Sequence, residues 1–152
     1  KYNLIDHGFL LNLLGIGDST NSIVKELLVD NAADLVDKGS LTEMVAGLEL
    51  LKYMSPNERH DLYYWQNLTR GTVSEVDYVL SRGIDIVPME VKSGLRGSMA
   101  SLYVFMEKEH IKYAIRCSLE NFGEFVSPKG KKILVNPLYA ISNLFSCGER
   151  LL

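Results

Sequence analysis

The chain has little cysteine: two residues, Cys117 and Cys147, in 152. Two thiols cannot make the disulfide framework of a small secreted domain, and their spacing fits no zinc motif. Both are read as reduced thiols of an intracellular, cytoplasmic protein, with Cys117 in the core. Long apolar runs are also missing. No stretch reaches the roughly 18–20 apolar residues that a membrane-spanning helix needs, so no such helix and no membrane partner are expected. No leader segment is visible, although the chain begins at Lys1 and reads as a piece of a longer protein. The pattern G-x-x-x-x-G-K-[ST] is absent, so ATP binding is not encoded here. A large charge of one sign is lacking too: the net charge is −3, which does not advertise a nucleic-acid surface.

What is present suits one globular domain over residues 1–152, with 47% hydrophobic and 23% charged residues. The charge is unevenly spread. Residues 1–62 hold five Lys/Arg against ten Asp/Glu, whereas residues 91–132 hold eight against four. The basic excess begins at Lys92 and runs on through Arg96, Lys108, Lys112, Arg116, Lys129, Lys131 and Lys132. A phosphate-bearing ligand would favour that side; the duller alternative is a solvated surface with no ligand.

Periodicity supplies the elements. Residues 1–16 form an entry segment, and Ile23, Val24, Leu27, Leu28 and Leu35 have helical spacing. Gly39-Ser40 is read as a break. Leu41, Met44, Val45, Leu48 and Leu51 then give the apolar stripe of a core-facing helix. Strands are expected at about 62–67, 74–81 and 84–92, a helix at 98–109, and strands at 112–118, 122–126 and 133–135. Asn136-Pro137 is read as the N-cap and first residue of a final helix that stops near Gly148. No repeat or linker interrupts this order.

The chemistry concentrates in Glu75-Val76-Asp77 and Pro88-Met89-Glu90-Val91-Lys92. Side chains alternate along a strand, so Glu90 and Lys92 point one way and Val91 points into the core. With Arg82-Gly83 as the turn, Asp77 falls opposite Pro88 and Glu75 opposite Glu90. Asp77, Glu90 and Lys92 then share one surface, where two carboxylates and an ammonium can hold a hard divalent cation and a water beside a phosphate. The alternative is an exposed sheet face with ordinary salt bridges.

The pattern resembles the PD-(D/E)xK nuclease superfamily, with Asp77, Glu90 and Lys92 on its motif positions. A longer resemblance covers nearly the whole chain and is to the C-terminal domain of unknown function of bacterial and archaeal AAA-type ATPases. It is carried in order by Asp6-His7-Gly8-Phe9-Leu10, Glu43-Met44-Val45-Ala46 with Leu50-Leu51, Tyr63-Tyr64-Trp65, the acidic hairpin through Ser93-Gly94, Ser101-Leu102 and Asn136-Pro137-Leu138-Tyr139. His7, Thr42 and Met44 depart from the usual residues, and none of these is a candidate catalytic group.

The resemblance implies an α/β fold of restriction-endonuclease-like type, a mixed sheet flanked by helices. It implies a nuclease domain using Mg²⁺ or Mn²⁺ held by Asp77, Glu90, the Val91 carbonyl and Glu43. Lys92 would orient the attacking water, with DNA as substrate and an ATPase domain upstream. A catalytically inactive module that regulates the ATPase or docks it on DNA or protein is the alternative, and self-association is left open. Glu43 has a second explanation: Ser40-Leu41-Thr42-Glu43 is a capping box. Glu75 is a further candidate acid and Gln66 a thinner one. His7, His60 and His110 are read as structural or surface residues, and Tyr63, Tyr64 and Trp65 as packing residues rather than a base-stacking platform.

Overall fold

The computed structural model describes residues 38–54, 57, 61–69, 72–95, 97–107 and 111–145. The segments read at 1–16 and 22–37, the three histidines, Cys147 and the stop at Gly148 lie outside the described residues.

Helix α1 spans Lys38–Tyr53. Three strands follow, β1 at Tyr63–Thr69, β2 at Thr72–Arg82 and β3 at Asp85–Val91. Helix α2 is Ala100–Met106, and then come β4 at Tyr113–Ser118, β5 at Gly123–Val126 and β6 at Lys132–Pro137. A 3₁₀ helix, Leu138–Leu144, ends the described chain. The expected order of helix, three strands, helix and further strands is therefore observed. The strands form one six-stranded sheet in the order β1-β2-β3-β4-β6-β5. Pairing is antiparallel through β1, β2 and β3, parallel through β3, β4 and β6, and antiparallel again at β5. This is the expected α/β mixed sheet flanked by helices, compatible with a restriction-endonuclease-like core.

Two apolar clusters cover the two faces. On one, Tyr78, Val87, Met89, Val91, Ile115 and Cys117 meet Ala46 and Leu50 of α1 and Ile141 and Leu144 of the 3₁₀ helix. On the other, Val76, Ala114 and Ile133 meet Leu102, Phe105 and Met106 of α2. The centre of the sheet is thus covered on both sides, as parallel strands require. Trp65 packs edge-on against Phe105 at 5.1 Å and behaves as a packing residue, but Tyr63 and Tyr64 are exposed, which corrects their assignment to packing. Among the described residues no helix is long and apolar enough to cross a membrane.

Four local readings change. Helix α1 runs through Gly39 and Ser40, so the break there, and with it the capping box, is replaced by continuous helix. A glycine near a helix end costs only about 1 kcal/mol, which tertiary packing overrides. The buried stripe of α1 is Met44, Ala46 and Leu50, while Val45 and Leu51 face outward. The small residues Ala46 and Gly47 let the helix lie close to the sheet, and the Tyr78 hydroxyl donates to the Glu43 carbonyl at 2.7 Å. The hairpin centres on Gly83-Ile84, with Arg82 paired to Asp85. Gly83 takes the left-handed φ of 60° that favours glycine, and Ile84 is almost wholly exposed. Finally, Pro137 belongs to β6, and Asn136 donates to the Pro137 carbonyl at 2.9 Å instead of capping a helix.

Candidate functional site

The position of the hairpin turn decides what faces what. Pairing proceeds from Arg82 with Asp85 to Tyr78 with Met89, so one further step in the same register would set Asp77 opposite Glu90. The sequence had set Glu75 there. A β-bulge adds to the effect. Across β1, Tyr63 pairs with Val79 but Trp65 pairs with Val76, which leaves Asp77 and Tyr78 together against Tyr64. The extra residue shifts the alternation of β2. Val76 and Val79 both face α2, while Tyr78 between them faces α1.

At the bulge, the Asp77 carboxylate takes over from the strand ladder. Its Oδ2 accepts the Val91 N–H at 2.8 Å. Just beyond, the Lys92 N–H donates to the Cys117 carbonyl at 2.8 Å, so β3 remains tied to β4. Glu90 is only 6% exposed, and its Oε1 holds the Lys92 ammonium at 2.6 Å. That contact is short and charge-assisted, the strong class of hydrogen bond. Val91 points into the core, as the alternation required. The Asp77 carboxylate is thus bonded to the backbone of Val91, the residue between Glu90 and Lys92, at the end of β3.

Glu43 is placed differently. Its backbone carbonyl is bonded to Tyr78, on the face of the sheet covered by α1. Among the described residues no group of three or more His, Cys, Asp or Glu side chains is arranged to hold a metal, so Glu43 does not join Asp77 and Glu90 in such a group. Glu75 pairs with Gln66 on the outer part of the sheet, and Gln66 is exposed.

Sequence reasoning counted Arg116 only as one more basic residue. The structure buries it, 6% exposed, on the strand position paired with Glu90. Its Nη2 donates to the Leu95 carbonyl at 2.8 Å, and its Nε lies 2.8 Å from Glu120 Oε2, close in charge though not in hydrogen-bonding geometry. The available signal was an arginine inside the otherwise apolar run Tyr113-Ala114-Ile115-Arg116-Cys117. Gly97 lies in the loop that follows Lys92. A methyl group there would meet the Lys92 side chain, 2.7 Å from Cδ. Three described lysines of the basic stretch are less available than their charge suggested. Lys112 pairs with Asp85, Lys129 with Glu107 and Lys132 with Glu124. Behind the site, burial pushes the Cys117 thiol up to about 12, with a hydrogen bond to Asn136 pulling it the other way.

A family model described as "Domain of unknown function (DUF4143)" matches residues 38–141. The chain belongs to this family. The match takes in every residue of the DUF4143 domain named above as a site residue, from Glu43 to Glu120. No curated protein matches the chain. Among solved structures, a chain in the refined half-complex from the tetradecameric assembly of Thermococcus gammatolerans McrB AAA+ hexamers with bound McrC is similar at 17% identity and a TM-score of 0.49. That likeness covers 67% of the DUF4143 chain and 28% of the other, so the domain spans well under half of its length.

Proposed function

We propose that this domain is a metal-dependent nuclease, acting on a DNA phosphodiester at the end of β3 and carried by a longer AAA-type ATPase. One observation supports the reading above the others. The Glu90–Lys92 pair, at 2.6 Å, adjoins a second carboxylate, Asp77, that the bulge fastens to the Val91 amide. Two acids and a lysine, from the middle of β2 and the end of β3, are what the motif resemblance calls for.

The donor set suits a hard cation. Asp77, Glu90 and the Val91 carbonyl, with Glu43 as the further candidate, offer only oxygen, the ligand chemistry of Mg²⁺ and Mn²⁺. Such an ion, when bound, lowers the pKa of a water and offsets charge on the phosphoryl oxygens. The chain's own residues do the rest. Asp77, held by the Val91 N–H, ties the middle of β2 to the end of β3. Glu90 keeps the Lys92 ammonium at a fixed point. Lys92 places positive charge where charge develops on the phosphoryl group and orients the attacking water.

Mn²⁺ calorimetry on the wild-type chain and on Asp77→Ala and Glu90→Ala tests the reading. Binding in the wild type and its loss in both variants is expected, followed by Mn²⁺-dependent cleavage of linear or branched DNA. A second reading, a catalytically inactive module that regulates the attached ATPase or docks it on a partner, is favoured by the near-complete burial of Glu90 and by the acids that engage the outer lysines. Absence of binding at millimolar Mn²⁺ would select it.

A further inference from the structure

The loop after Lys92 leaves β3, passes the site and enters α2. Two contacts tie it down, and both involve the candidate site. At Gly97 the backbone lies against the aliphatic stem of Lys92, so close that only a residue without Cβ leaves the stem undisturbed. At Leu95 the carbonyl accepts from Arg116 Nη2 at 2.8 Å. Arg116 is itself held. Its Nε faces Glu120 Oε2 at 2.8 Å, and Glu120 is fixed by Ser118, whose hydroxyl donates to the same carboxylate at 3.0 Å and accepts the Glu120 N–H at 3.2 Å. Ser118 is fully buried and Arg116 nearly so, which makes this a rigid chain of contacts from the end of β4 to the loop after β3.

We propose that Arg116 is a positioning residue that latches this loop over the Lys92 stem and thereby keeps the ammonium on Glu90. A planar guanidinium suits the task, because one N–H group bonds the Leu95 carbonyl while the delocalised charge faces Glu120. A lysine offers a single point of attachment. The use of Lys92 rests on the nuclease reading; the latch itself rests on the contacts.

The test uses the whole chain as wild type, Arg116→Gln, Arg116→Lys, Glu120→Gln and Gly97→Ala. Two readouts are taken: amide hydrogen exchange of residues 93–98, and acetylation of Lys92 by limiting acetic anhydride relative to Lys112. In Arg116→Gln the loop amides should exchange about tenfold faster and Lys92 should be acetylated several-fold faster than in the wild type, as expected on losing one charge-assisted hydrogen bond. Exchange in β6 should not move. Arg116→Lys should recover part of both effects. Glu120→Gln should give the same changes at smaller size, because it removes charge and leaves the Leu95 bond. Gly97→Ala should expose Lys92 with Arg116 intact. Should Arg116→Gln fail to fold, Glu120→Gln and Gly97→Ala decide.

Unchanged Lys92 acetylation in the folded variants overturns the proposal, even where the loop amides quicken, since a purely structural arginine would loosen the loop without moving Lys92. These readouts need no cleavage. A wild type inactive on DNA therefore counts against the nuclease reading and leaves the latch to be judged on its own.

Discussion

The two faces of β3 and β4 are built on opposite principles. Toward α1, Met89, Val91, Ile115 and Cys117 make a dry apolar layer in which any side chain of about the right volume would serve. Toward the loop before α2, Glu90, Lys92 and Arg116 occupy the alternate positions of the same run, and each is held by specific polar contacts. The first face holds the sheet together, while the second draws on that stability to keep charged groups largely out of water. A fold can thus separate its stability from its chemistry across the thickness of a single strand.

The largest effect should come from the apolar face. Met89→Ala leaves a cavity at a fully buried position and should cost about 2–5 kcal/mol, read as a lower urea midpoint with an unchanged slope. Mn²⁺ affinity should hold as long as the variant is folded; if affinity falls in proportion to stability, the two faces are not separable. Next comes the charged face. Lys92→Met removes the ammonium beside a largely buried Glu90 and should cost up to about 3 kcal/mol, whereas adding Glu90→Gln should return most of it. A double-mutant cycle with no coupling would show that the pair is not a unit.

Cys117 probes the apolar face by pH. Its folded-state thiol is raised from 9.0 to about 12, so between those values the unfolded chain gives up the proton first. Its contribution to stability is complete below pH 9 and is lost as the pH climbs toward 12, a loss on the order of a few kcal/mol. Cys117→Ala should flatten that alkaline limb of a stability–pH curve. The smallest effect belongs to the outer ion pairs. Lys132→Ala, at a pair exposed on both sides, should change stability by less than about 1 kcal/mol and lose even that in high salt.

Most of the architecture was legible in the sequence because alternation and helical spacing survive without tertiary knowledge. The strands near 62–67, 74–81 and 112–118, the helix near 98–109 and the inward turn of Val91 all follow from period alone. What escaped was set by single residues. Gly83 served equally well as the second or the first central residue of a turn, and the choice put Val79 in place of Asp77 opposite Pro88. The capping signal at Ser40 was sound chemistry that the longer helix made irrelevant. At the site, the Glu90–Lys92 pairing was readable from alternation, but Arg116 was not, because its importance comes from Leu95 and Glu120, which no local pattern links to it.

The bulge at Asp77-Tyr78 has a consequence for how this strand tolerates change. Upstream and downstream of it, β2 is read by the core in two different frames, and the one extra residue is the frameshift that joins them. Swapping one apolar residue for another leaves both frames intact. Deleting Asp77 itself would merge them into one regular alternation and remove the carboxylate that reaches across to the Val91 amide, whereas deleting a residue elsewhere in β2 would turn one part of the strand inside out. At this strand, the protein's tolerance of substitution should therefore far exceed its tolerance of changes in length.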